Sequence, residues 1–351
     1  MHLSRQRALS RSLIVVVILL LVAASVGALA YYDYGAPKKP TSPLLIYSAD
    51  LYTVESGSLY SEFANQTGLP YAAPKGAGSF ALARQIAQGS PVSVFISVSK
   101  AALEEAFLGN QFPGWGIAFA SDQMSIGYAT AEGQSTGFHK VLTDYQTASA
   151  SNASADWKTF FTDLTSGLVK VGIGNPNNDP AGYRAWIVLE AAGKVYAGDQ
   201  SFFVSRLLQA QANLTGQSAS ALVAPLQAGQ IQFLFMYKSA VVAHSLTPMV
   251  LPRHVNLGDS ALGAFYSQFS YPVSGGIQSG GPIQLFITVP KESHLTTYSL
   301  QFVVYVVQHS SSMSYYGLVP LTPAHLYNST EVPSAIAQLL TQGSVVGSGD
   351  L

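Results

Sequence analysis

Apolar positions in this chain come in short runs separated by polar or amphipathic stretches. Residues 44–47, 92–98, 117–120, 124–129, 231–237 and 282–289 are runs of strand length. Residues 59–67, 80–87, 157–164 and 183–192 space their apolar positions as helices do, and Ser99 can cap a further helix reaching Leu108. The run 300–308 suits a buried strand or a helix; its length and the Ser and Thr residues before it favour helix. The Gly-rich stretch 274–281 reads as a loop, and there is no internal repeat. Strands alternating with helices over roughly three hundred residues predict an α/β fold with mostly parallel sheets, divided between two lobes.

The N-terminus has a different pattern. Arg5, Arg7 and Arg11 precede an unbroken apolar run at 13–30, long enough for a short membrane span with its positive end inside. The run ends Ala28-Leu29-Ala30, which is also a signal-peptidase pattern. Either way the remainder is expected outside the cell membrane, anchored by the apolar helix or released after cleavage. The expected organisation is a basic cytoplasmic N-terminus (1–12), an anchor or signal peptide (13–32), a Pro- and Lys-rich tether (33–43), a first lobe (44–125), a second lobe (126–250), and a return to the first lobe with a C-terminal tail (251–351).

Composition then narrows the function classes. Charged residues make up 10% of the chain, against about 25% in an ordinary soluble domain. Ser, Thr, Gln and Asn take the surface positions instead. One physical reading is an acidic exterior, where carboxylates are protonated and add nothing to solubility. A net charge of −1 lacks the basic footprint of nucleic-acid binding. There is no cysteine, hence no disulfide and no thiol for a lipid anchor. Sequons at Asn65, Asn152, Asn213 and Asn328 are glycosylation candidates for an exported chain.

Two polar turns each run into a helix start. In "KGAGSFALARQI", Gly76 and Gly78 let a ligand approach the backbone and Ser79 opens the helix. In "GNPNNDPAGYR", Asp179 is a helix cap and Pro180 the first helical residue. Helix starts carry unpaired N–H groups and the positive end of the dipole, so two of them facing each other suit an oxyanion. Each is equally an ordinary capped helix when taken alone. A rival motif, Gly133-Gln134-Ser135-Thr136-Gly137, fits the G-x-S-x-G elbow of serine hydrolases, with His139 nearby, but its connection is too long for a tight strand-to-helix turn. His244 and His254 have no metal-ligand spacing, and there is no phosphate-binding P-loop or dinucleotide fingerprint.

"NPNNDPAGYRAW" resembles the "NPNDDPCGYR" signature of the archaeal molybdate/tungstate-binding proteins, the extracellular component of an ABC importer. "KGAGSFALARQI", "GWGIAFASDQMSIGYA", "LQAGQIQFLFMYKSAVVAH", "LPRHVNLG" and "GPIQLFITVPK" resemble further blocks of that family in the same order, from about residue 44 to 323. The resemblance implies a type II periplasmic-binding-protein fold, a two-lobed Venus flytrap with ligand in the cleft, no enzymatic activity and no cofactor. Its implied contacts are Gly78 and Ser79, Asp179 with Pro180 and Ala181, and Tyr237; Asp179 is a possible ligand to the metal centre of the oxyanion. Ser48 or Asp50 stands where the family has a Gly-Ser after the first strand. Ala219 stands where the family has a Glu beside the Asp, which favours a tetrahedral, hydrogen-bonded anion over a six-coordinate one. The implied partners are molybdate or tungstate, a permease, and the membrane through the N-terminal helix, with the protein a monomer. Sulfate, phosphate or a small organic acid is the alternative ligand; a hydrolase using Ser135 and a surface structural protein are the alternatives outside the binding class.

Overall fold

A computed structural model of the chain describes residues 41–130 and 135–351, and residues 43–351 form one compact unit. The proposed anchor, signal segment and most of the tether lie outside the described residues. Among the described residues no helix is long and apolar enough to cross a membrane.

The strands in chain order are β1 (Ile46–Ala49), β2 (Lys75–Ala77), β3 (Val94–Ser97), β4 (Trp115–Asp122), β5 (Met124–Tyr128), β6 (Val171–Gly174), β7 (Asn213–Gly216), β8 (Phe233–Tyr237), β9 (Thr247–Val250), β10 (Ser270–Val273), β11 (Gly276–Ser279), β12 (Ile283–Thr288), β13 (Val319–Asn328) and β14 (Val345–Gly347). Seven form the first sheet, in the order β14-β13-β4-β12-β3-β1-β2. Five form the second, in the order β7-β6-β8-β5-β9. Within these mixed sheets, β2-β1-β3 and β7-β6-β8 are parallel runs. Every residue of β1, β3 and β6 is buried, as expected for strands covered on both faces.

The chain passes between the sheets twice, at 122–124 and again between β9 and β12. The two crossings are tied together: Met124 N donates to Asn256 O (2.7 Å), and the Asn256 amide donates to Gln123 Oε1 (2.7 Å). This is the two-lobed α/β architecture expected from strand–helix alternation, but the sheets are mixed rather than mostly parallel, because β4, β5, β9, β12 and β13 enter antiparallel pairings.

The local differences from the sequence reading have physical causes. Residues 274–281 are not all loop: β10 and β11 form an antiparallel hairpin, held to the second lobe by Trp186–Tyr271 stacking (6.2 Å between centroids). β13 carries Pro320 and Pro323, which argue against a strand; its pairing with β4 shifts register between Pro320 and His325, and the break absorbs them. The helix expected from Ser99 to Leu108 is broken into a 3-10 turn (Ala101–Leu103) and a short helix (Glu105–Leu108). The helix Thr136–Ser151 is not among the expected elements, although Phe138, Val141 and Ala148 repeat at helical spacing and are buried.

Candidate functional site

Parallel strands deliver their following loops to one edge, so the carboxyl ends of β1, β2, β6, β7 and β8 converge on the cleft. β1 leads into Asp50, β2 into Gly78 and Ser79, β6 into 175–179, β7 into 217–220, and β8 ends at Tyr237. Two helices start there. Ser79–Ala87 follows Gly78, and Pro180–Ala192 is capped by Asp179, whose Oδ1 accepts from Ala181 N (2.9 Å). The second helix is apolar on nearly every face and runs through the core of its lobe: all its residues but Glu190 are buried.

The two corners touch. Phe80 N and Ala81 N both donate to Asn178 O (3.1 and 3.2 Å), so a carbonyl of the second lobe occupies part of the helix start of the first. Those two N–H groups, expected to be open to a guest, are therefore taken. Arg84 reaches the same loop, with NH1 on Asn177 O (2.9 Å) and NH2 on Asn178 Oδ1 (2.6 Å). Ser79 is fully buried, and its Oγ accepts from Val98 N (3.2 Å), which leaves the hydroxyl proton available to a ligand.

Of the two candidates, Ser48 within β1 and Asp50 just after it, Asp50 is the one that faces the second lobe. Ser220 Oγ donates to Asp50 Oδ2 across the cleft. Ser48 is buried and turned inward, its Oγ accepting from Ser56 Oγ (3.0 Å). Ala219 N donates to Asp179 Oδ2 (2.7 Å), so position 219 lies beside Asp179. Asp50, bonded to the next residue along, therefore brings a carboxyl next to the position where Ala219 brings none. Burial, with Asp50 nearby, pushes the Asp179 carboxyl up to about 7.

Tyr237 is buried behind these corners. Arg184 NH1 donates to its hydroxyl (2.7 Å), and its ring stacks on Tyr52 (5.5 Å, 27°). Tyr52 OH in turn donates to Asp122 Oδ2 (3.1 Å) at the first crossing, where Ser239 Oγ also donates to Oδ2 (2.5 Å) and Gln123 N to Oδ1 (2.7 Å). Burial raises Asp122 to about 6. Tyr237 is thus linked through Tyr52 to Asp122 at the first crossing between the sheets. Sequence reasoning missed Asp122, whose only signal was a lone acid at the end of a buried strand.

The rival site dissolves. Ser135 caps the helix Thr136–Ser151, its Oγ accepting from Phe138 N (3.1 Å); Gly133 and Gln134 lie outside the described residues. Among the described residues no three His, Asp or Glu side chains converge as a metal site. Of the sequon residues, Asn65 and Asn152 are exposed, and Asn213 and Asn328 are half-buried.

This fold, with its cleft at the carboxyl ends of parallel strands in two lobes, defines a solute-binding protein of the periplasmic type. The profile of the bacterial extracellular solute-binding protein family matches residues 47–309, and the chain belongs to that family. It is 34% identical to a solute-binding protein of Saccharolobus solfataricus, over 88% of this chain and 78% of the relative. It is also 34% identical to one of Sulfurisphaera tokodaii, over 86% and 82% of the two chains. Among solved structures, the sulfate-binding protein SubI from Mycobacterium tuberculosis shares the fold at 16% identity, with a TM-score of 0.52 over 88% of this chain and 94% of that one. The serine hydrolase reading has no support in the family or in the geometry of Ser135.

Proposed function

We propose that the protein captures a tetrahedral oxyanion, molybdate or tungstate first, at the junction of the two helix starts, and delivers it to the permease of an ABC importer. The observation that carries this reading is the meeting of Gly78 and Ser79 with Asn178 and Asp179, where Asp50 and Asp179 bring two carboxyls to one corner. Asp179 caps the helix that begins at Pro180 and takes up the Ala181 N–H, so on this side the Asp179 carboxyl meets the guest, with Tyr237 behind it. The N-terminal apolar segment serves as membrane anchor or export signal, and a single copy suffices to form the cleft.

Two carboxyls beside an anion are favourable in only two ways. A protonated carboxyl donates a hydrogen bond, or a carboxylate coordinates the central atom directly. Sulfate and phosphate allow only the first; molybdate and tungstate allow both, since their metal expands its coordination. The altered first contact and Ala219 remain the argument for another anion.

Calorimetry with tungstate, molybdate, sulfate and phosphate in parallel tests the reading. Tungstate and molybdate are expected to bind at least about tenfold more tightly than sulfate or phosphate. If Asp179 donates a proton to the guest, affinity falls as pH rises through about 7, where the group ionises, and Asp179→Asn removes that dependence. Affinity that rises through the same range assigns Asp179 to direct coordination as a carboxylate, and a flat profile counts against the protonated donor. Failure of all four anions to bind rejects the proposal.

A further inference from the structure

A cavity of about 450 Å3 is bordered by Arg184. The second lobe contributes Tyr183 and Arg184, the first contributes 99–101, Glu104, Gln284, Phe286 and Tyr327, and the hairpin contributes Ile277, Gln278 and Ser279. None of Asp50, Gly78, Ser79, Asp179 or Tyr237 lines it. It has the size of small-molecule sites, which run from roughly 300 to 1,000 Å3 and favour the boundary between lobes. It also has the volume of about fifteen waters, far more than a five-atom oxyanion fills.

Arg184 is what makes the chamber informative. Its side chain is 7% exposed. Among the described residues no carboxylate oxygen lies within 4.0 Å of it. Its one side-chain hydrogen bond runs from NH1 to Tyr237 OH (2.7 Å), while a guanidinium has five donors. Flanking Tyr183 and Tyr237 rings, 5.3 and 5.7 Å away, cushion the charge without neutralising it. Asp179 is close enough to feel its charge, but no carboxylate bonds it directly, and buried charges are normally paired. At the wall of an interlobe chamber, the missing partner is a ligand.

We infer that this chamber binds a small organic carboxylate, its carboxylate seated on Arg184 and its body against the aromatic wall. The planar fork of a guanidinium matches a carboxylate through two parallel hydrogen bonds. Phe286, Tyr183 and Tyr327 supply an apolar wall, Ile277 an exposed apolar rim, and the Gln278 and Gln284 amides polar contacts. Lys100 adds positive charge at the edge, although it already pairs with Glu104 (3.7 Å) and donates to Asp350 O (2.9 Å), so Arg184 carries the recognition. Because the two lobes share the walls, such a ligand favours the closed form. The inference stands independently of the oxyanion reading.

The test is calorimetric titration of the whole protein with benzoate, pyruvate and citrate, with tungstate in a separate arm. At least one of the three carboxylates is expected to bind saturably with a Kd below about 1 mM. Arg184→Lys, which keeps the charge and loses the fork, should weaken it tenfold or more. Ser279→Trp, placed on the exposed rim to fill the chamber, should do the same and leave the tungstate arm unchanged; it decides the matter if Arg184→Lys does not fold. Absence of binding by all three acids overturns the inference. So does binding that survives Ser279→Trp at full strength, or loss of tungstate and carboxylate together in that variant.

Discussion

Gly78→Ala is expected to keep the lobes from closing and to weaken oxyanion binding about ten- to a hundredfold. Gly78 has φ −58° and ψ 142°, a conformation open to any residue, so its backbone does not require glycine. Its surroundings do. A Cβ there would stand 2.3 Å from Asn178 O and 2.8 Å from Asp179 Cα, both backbone atoms of the opposite lobe. Closing over that methyl means pushing the carbonyl off Phe80 N and Ala81 N, and overpacking of this kind costs about 1–3 kcal/mol. Because the clash exists only between lobes, the open form and its melting temperature should be nearly unchanged. Gly347→Ala, where a Cβ meets nothing within 4 Å, is the control. Calorimetry measures the loss, and small-angle scattering should show that ligand compacts the wild type and not the variant. Wild-type affinity in Gly78→Ala would mean that the corners do not close on the ligand as described.

A second large effect concerns pH. Burial pushes three carboxyls upward: Asp122 to about 6, Asp179 to about 7, and Glu55 to about 8. Glu55 is 1% exposed, and neither of its carboxyl oxygens has a partner in another residue. The charge of Asp122 raises it further. Each of the three binds its proton more tightly folded than unfolded, where carboxyls titrate near about 4. The stability they contribute is therefore complete below about pH 4 and is lost as pH rises through about 6 to 8. A shift the size of that at Glu55 is worth on the order of 4 kcal/mol. The melting temperature is expected to be highest in acid and to fall towards pH 8. Glu55→Gln, which fixes the neutral form, should leave melting near pH 4 almost unchanged and raise it by roughly 5–10 °C at pH 8. A melting temperature that rises steadily from pH 4 to pH 8 would contradict this. The preference for acid agrees with the scarcity of charged residues in the sequence.

What the sequence carried best was local. The Asp179-Pro180 start, the helix after Gly78, the buried strands and the helix Thr296–His309 follow from spacing and capping within one segment. The choice between Ser48 and Asp50 did not, because it depends on which residue of a strand end turns towards the other lobe. Asn178 as the partner of a helix start lies about a hundred residues away in the chain, and no local pattern announces it. Glu55 falls outside every element expected from the sequence; it is buried because the 3-10 segment Ser310–Tyr316 helps to wall in its cavity. The pairing of Asp50 with Ser220, beside an alanine where a Glu was expected, is likewise a product of closure rather than of either segment.

The most direct test of the central claim is a crystal of the protein grown with tungstate, with diffraction recorded across the tungsten absorption edge. One anomalous peak is expected in the cleft, within reach of the Ser79 hydroxyl and the carboxyls of Asp50 and Asp179. A peak elsewhere on the molecule, or an empty cleft at saturating tungstate, would contradict it.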